Sequence, residues 1–426
     1  MFTVFGGRSG GHTFRSFMLL CGLAVGQPCY GAALTLQGAL DLALGDDPSI
    51  QAVEARREAL QELAVASEQL PDPVLRMGLV SLPTDTWRLG QEPMTQVQIG
   101  LSQRFPRGQS RALRAEQVLE QSRALNESAR DQRLRIALAV REEYLEVLKH
   151  MRRHEVNAAA ILAFSDLAEI TQDYYATGRV QQQDVLRAAV ELARVEDRAL
   201  RIAAEVDQAR ARLAVWIGAP AYGDMVREWP QLQEAGSLDD VLTALPQHPR
   251  IAALQRQAEA AETGVELSRQ RYKPEFGIDL VYGGRGGNDF DGTSRSDLFS
   301  VMVVMDMPLF HSNRQDRYTA ASLAESTAAL LDRDDLYRRM RSEAALHFAT
   351  LRQQRERLRL FDESLLPDAG FNAAAALEAY QSALDNLATL MRARITEFEL
   401  QLEYAELQAE QLKTVSRLHY LGGERG

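Results

Sequence analysis

The residues that could do chemistry are few, and their spacing limits what that chemistry could be. His150 and His154 stand four apart, which places two imidazoles on one face of a helix and could begin a metal site. No third ligand accompanies them in sequence, so the expectation is a solvated helix face with no metal. His248, His311, His347 and His419 are scattered. The stretch Gly283-Gly284-Arg285-Gly286-Gly287-Asn288 would cradle a phosphate only if a helix began directly after it. A strand pattern follows instead, and the stretch reads as an exposed loop. No nucleophile motif, paired catalytic carboxylates or cofactor fingerprint is present. The sequence predicts no catalytic residue, no cofactor and no enzyme.

The elements that would carry function are therefore architectural. Gly108 to Tyr175 contains no proline and is rich in strong helix formers, so it predicts a single rod. At 1.5 Å per residue such a rod spans roughly 100 Å. The return helix has two heptad columns, Val185, Leu192, Ala199, Val206 and Leu213 with Ala188, Val195, Ile202, Ala209 and Trp216. All are apolar, which is a coiled-coil seam. A second such pair runs from about Ser312 to Tyr380, with a kink or break expected at Pro367. It returns along Met391, Ile395, Phe398, Leu402, Ala405, Ala409 and Leu412.

Between the helices lie four segments of period two. Val97, Ile99 and Leu101 share one face, and Leu75, Met77 and Leu79 share another. Phe276, Ile278, Leu280 and Tyr282 alternate with polar residues or glycine, and Phe299 to Met307 is apolar throughout its middle. Pro71, Pro73, Pro106, Pro274 and Pro308 bracket them. The strands read as about ten residues long, suited to a tilted bilayer crossing. The hairpin loops are expected at Pro83 to Met94 and Gly283 to Asp297. Four strands cannot close a barrel, and open sheet edges do not survive in lipid. Two copies would give eight strands with a filled interior, and three would give twelve with a lumen.

The whole arrangement is stated twice. Asp46-Asp47-Pro48-Ser49-Ile50 matches Gln247-His248-Pro249-Arg250-Ile251, Pro73 matches Pro274, Pro106 matches Pro308 and Tyr175 matches Tyr380. The first repeat is expected over residues 32–220, with its hairpin at about 74–105. A connection over 221–237 leads to the second repeat, 238–426, with its hairpin at about 275–307. Residues 1–31 read as a secretory signal peptide. Both cysteines, Cys21 and Cys29, lie in it, so the mature chain has no thiol to bind metal or form a disulfide. Neither cysteine has the preceding small residue that lipid attachment would favour, and no acyl anchor is expected. Removing the signal takes away Arg8 and Arg15 and no acid, moving the formal charge from −11 to −13. Such a balance argues against nucleic acid as a partner.

In these features the chain resembles the TolC-like outer membrane efflux channels. The residues that carry the likeness are the repeated Pro48 and Pro249, Pro73 and Pro274, and the strand exits Gln103-Arg104-Phe105-Pro106 and Asp306-Met307-Pro308-Leu309-Phe310. To these add Tyr175-Ala176-Thr177-Gly178 before Asp184-Val185-Leu186, and Leu365-Leu366-Pro367 before Tyr380. Gln91 through Pro106 also resembles the branch of heavy-metal efflux systems. The resemblance implies a mainly α fold with a small β part: long antiparallel coiled-coil helices forming a periplasmic α-barrel below a trimeric, twelve-stranded transmembrane β-barrel. It implies a homotrimer in the outer membrane that docks on a periplasmic adaptor protein and an inner-membrane RND-type pump. It would export small solutes passively, heavy-metal cations among them. The alternatives are the outlet of a type I protein-secretion system and a soluble periplasmic coiled-coil scaffold.

By the same resemblance the helix-turn-helix tips at Thr177 to Asp184 and Gln381 to Ala388 form the periplasmic entrance. Two aspartates that narrow the entrance in well-known members fall here at Thr389 and Arg392 and are not carried over. Gly178, Arg179, Asp184 and Asp385 are the candidate entrance and adaptor-contact residues. Ala383 stands where the second turn of the family has glycine.

Overall fold

The computed structural model describes residues 33–45 and 47–423. The signal peptide expected at 1–31, with both cysteines, lies outside the described residues. In chain order the elements are α1 (Leu36–Gly45), α2 (Pro48–Glu68), β1 (Val74–Val80), β2 (Gln96–Phe105), α3 (Ser110–Ala176) and α4 (Gln182–Ile217). There follow α5 (Leu238–Ala244), α6 (Pro249–Arg269), β3 (Glu275–Arg285), β4 (Leu298–Asp306), α7 (Gln315–Leu360), α8 (Leu366–Gln381) and α9 (Leu387–Leu421). No helix among the described residues is long and apolar enough to cross a membrane.

The strands form one antiparallel sheet in the order β1-β2-β3-β4, so the two hairpins are joined through β2 and β3. Register gathers most apolar positions of β1 to β3 on one face, while β4 is apolar on both, with Met302 and Val304 on the other side. Met77 sits opposite Ile99, Ile99 opposite Tyr282, and Tyr282 opposite Phe299. Leu75, Leu101, Leu280 and Val301 form the next row. This face is exposed across the sheet. The opposite face carries Arg76, Gln98, Asp279 and Ser300. Beneath the strands α2, α3, α6 and α7 stand side by side, each continuous with its own strand.

The sequence reading is corrected in four places. β1 has seven residues rather than ten. Gly283, Gly284 and Arg285 belong to β3, not to the loop, because they pair with Gln98, Val97 and Gln96. Glycine contributes little strand propensity of its own, so here pairing decides the assignment. At Pro367 the helix is not broken. A π-turn over Phe361–Leu365 links α7 to α8, and its wider coil takes the backbone past the carbonyl that the proline ring would otherwise meet.

The fourth correction is His150. It is buried rather than solvated, 8% exposed, in a charged cluster where α3, α4 and α9 meet. Its Nδ1 lies 3.1 Å from Glu205 and its Nε2 3.4 Å from Glu146. Glu146 also pairs with Lys413, which reaches Glu410 at 2.8 Å. Burial alone would raise the Glu146 carboxyl, but hydrogen bonds from His150, Lys149 and Lys413 outweigh it and hold the group below its ordinary range. Burial likewise works against the Lys413 ammonium, and its two glutamates reverse the balance upward. Among the described residues no cluster of histidine, cysteine, aspartate or glutamate is arranged to hold a metal ion.

Candidate channel entrance

The far ends of the helices are two helix-turn-helix tips, and the same backbone device closes both. At the first, Gly178 adopts φ +74° while the Arg179 N–H donates to Tyr174 O at 2.8 Å and the Gly178 N–H to Tyr175 O at 2.9 Å. This is the Schellman arrangement, which requires a left-handed residue. At the second tip the Leu384 N–H donates to Ala379 O at 2.8 Å and the Ala383 N–H to Tyr380 O at 3.1 Å. Ala383 takes the left-handed position at φ +57° despite its Cβ. The departure noted in sequence therefore leaves the turn geometry intact and adds strain of about 1 kcal/mol.

Each descending helix is then restarted by a side chain. Gln181 and Asp184 form a capping box at α4, with Gln181 N–H donating to Asp184 Oδ2 at 3.4 Å. Asn386 caps α9 by accepting from Thr389 N–H at 3.1 Å. Asp385 is exposed and accepts from Asn386 N–H at 2.7 Å. Arg179, also exposed, lies over the Tyr174 ring at 5.4 Å. Thr389 is thus committed to the cap, while Arg392, three residues on, is exposed.

What joins the tips is aromatic and was not anticipated. Tyr380 is 4% exposed, packs its ring 5.7 Å from Tyr174, and its hydroxyl lies 3.4 Å from Thr171 Oγ1. Burial first, with the nearby Asp184 charge adding to it, pushes the Tyr380 phenol upward and keeps it neutral. Behind it Phe164, Leu167, Leu387, Leu390 and Met391 form one core between the two hairpins. Among the described residues no ion pair links Arg179 to Asp184 or Asp385. The structure thus brings the candidate residues to one end of the molecule without fastening them to each other. A tyrosine at i−4 from the turn glycine in one copy and i−3 from the turn alanine in the other was the available sequence signal.

Seam residues of α4 divide sharply. Ala188, Val195, Ile202 and Ala209 are buried against α3, whereas Val185, Leu192, Ala199 and Val206 are half-buried on the flank. On the outer side Leu186 and Leu200 are 59% and 74% exposed. Their counterparts in the second copy, Met391 and Ala405, are 3% and 5% exposed.

The family model described as outer membrane efflux protein matches twice, over residues 39–219 and 242–424. The sequence matches no curated protein. Among solved structures, a membrane protein from Pseudomonas aeruginosa superposes with TM-score 0.77 at 16% identity, covering 91% of this chain and 90% of that one. The outer membrane protein VceC of Vibrio cholerae gives 0.76 at 18% identity, covering 91% and 96%. The open state of the MtrE outer membrane channel of Neisseria gonorrhoeae gives 0.74 at 14%, covering 91% and 88%. At these identities the likeness is one of fold.

Proposed function

The chain belongs to the outer membrane efflux protein family, and from that premise we propose that three copies close into an exit duct for small solutes. The observation that carries this reading is the mismatch between α4 and α9. Met391 and Ala405 are covered because α9 packs against α3, α7 and α8 of its own chain. Leu186 and Leu200 occupy the same places on α4 with nothing over them. A ring in which the first copy of each chain meets the second copy of the next supplies the missing cover. The sheet agrees: β1 and β4 are both open edges, and their directions make the junction between successive chains antiparallel. Three chains give twelve strands and a lumen, with the apolar face outward to lipid.

In this reading solutes enter past the tips at Arg179 and Asp385 and leave through the barrel. An inner-membrane RND-type pump supplies the energy, and a periplasmic adaptor joins it to the duct. Selection among solutes rests on pore width and lining charge. Planar-bilayer conductance of the detergent-purified protein, together with its oligomeric mass, tests it. Discrete conductance steps from a trimer are expected, with Asp385→Ala altering their size or ion preference. A water-soluble monomer that never inserts overturns the duct and leaves a periplasmic scaffold.

A further inference from the structure

At the foot of the sheet, where the strands hand over to the helices, lies a cavity of about 490 Å³ bounded by α3, α6 and the start of α7. Its charge is lopsided. Arg107 is committed to Asp306 and to Glu275, at 3.6 Å from the latter, and these acids are thereby neutralised in part. Arg114, Arg271 and Arg314 line the same cavity and have no acidic partner among the described residues. Arg271 is instead held over the Tyr318 ring at 4.1 Å. The first residues of α3 and α7, Ser110 and Gln315, also line it, and neither helix has a side-chain cap. Two long helices therefore direct their positive ends toward it. Gln315 is only 5% exposed, and its side-chain oxygen has no hydrogen-bond partner among the described residues. The cavity offers positive charge and an acceptor in need of a hydroxyl.

Beside this charge the chain exposes grease. Met307, Leu309 and Phe310 are 57%, 66% and 87% exposed. Met307 and Leu309 follow directly on the end of β4, whose odd-numbered residues carry its share of the apolar face, and all three exposed side chains also line the cavity. We propose that this cavity binds the headgroup of an anionic, hydroxyl-bearing phospholipid of the periplasmic leaflet. The phosphate sits among Arg271, Arg314 and Arg114, a headgroup hydroxyl donates to Gln315, and the acyl chains lie along Met307, Leu309 and Phe310. The site rests on the membrane orientation given above, because only that orientation brings lipid to the foot of the sheet.

Native mass spectrometry of the detergent-purified protein with equal amounts of phosphatidylglycerol and phosphatidylcholine tests the site. Phosphatidylglycerol adducts are expected to dominate, and the double variant Arg271→Gln/Arg314→Gln to remove that preference, each arginine contributing about fivefold. Arg271→Lys/Arg314→Lys, which keeps the charge, retains most of it, and Arg392→Gln at the opposite end of the helices changes nothing. Equal retention of both lipids by the unaltered protein overturns the proposal, as does a preference that survives the glutamine pair. Displacement by inorganic phosphate with no lipid preference reassigns the site to a free anion and overturns its lipid source. The duct reading fails separately, if the protein does not fractionate with the outer membrane.

Discussion

The two copies of the repeat share one architecture and solve its local problems with different chemistry. The α2 helix is capped by Asp47, whose carboxylate accepts from Ser49 and Ile50 N–H groups at 2.8 and 3.3 Å. At the same point α6 is capped by His248, whose Nδ1 accepts from Arg250 N–H at 3.2 Å. Its Nε2 consequently carries the proton and donates to Tyr420 O at 2.9 Å. The first turn uses Gly178, the second Ala383. The first ascending helix is α-helical throughout, and the second passes through a π-turn without breaking. Duplication preserved the positions at which backbone groups need partners, not the side chains that supply them.

Several substitutions would break or sharpen this comparison. The largest effect is expected where the copies cross. Glu146→Ala leaves Lys413 buried with only a half-exposed partner, and a loss of about 3 kcal/mol should appear in denaturant unfolding. Glu146→Leu combined with Lys413→Met should recover most of it. If the single change is silent, the cluster is not holding α3 to α9.

Next come the matched positions on α4 and α9. Met391→Ala should destabilise the fold by about 2–3 kcal/mol. Leu186→Ala should leave helicity by circular dichroism unchanged yet lower the temperature at which the trimer dissociates on a gel. Equal behaviour of the two variants would mean that α4 is not covered by a neighbouring chain.

The turns differ by less. Gly178→Ala should weaken the first tip by about 1 kcal/mol, and Ala383→Gly should relieve a similar strain less the added freedom of the unfolded chain. Hydrogen exchange at the Arg179 and Leu384 amides reads each tip separately, and faster exchange at Leu384 in Ala383→Gly would contradict the strain.

The caps differ in their response to acid. Burial, only partly offset by the Tyr420 carbonyl and Asp131, holds the His248 pKa below 6.5. Below pH 6.5 the unfolded chain therefore takes up the proton more readily than the folded one, and stability falls as pH drops from there toward the folded-state pKa. Asp47 acts in a lower window: its carboxyl is held below 3.8 by the Ser49 hydroxyl, so its contribution is lost only as pH falls beneath that value. Melting curves between pH 7.5 and 5.5 should slope downward with acid, and His248→Asn should flatten them. An unchanged slope would remove His248 from the account.

Much of the architecture was legible in the sequence because it rests on short-range rules. Prolines at 73, 106, 274 and 308 delimit the strands, and period two assigns the faces of β1 to β3. The entrance turn at Gly178 was readable for the same reason. Contacts between distant elements were not. His150 meets Glu205 of α4 and, through Glu146, Lys413 of α9, and nothing near residue 150 announces either distant residue. The Tyr174–Tyr380 contact is equally remote, since it depends on how two hairpins lie against each other. Gly283–Arg285 became strand only through β2.

The π-turn has a consequence in counting rather than in chemistry. Above it the buried stripe of α7 keeps step by sevens, through Met340, Gln354 and Phe361. Below it Ala369 and Ala376 are again seven apart, but Ala369 is eight beyond Phe361. One residue has been absorbed without advancing the stripe, as a reading frame absorbs an inserted letter by looping it out. Without it every side chain of α8 would turn by about 100°, carrying Tyr380 away from Thr171. The angle at which the second tip faces the entrance is therefore set by the number of residues between Phe361 and Leu365. Removing one residue there would rotate the tip like a key while the sheet at the other end stayed in place.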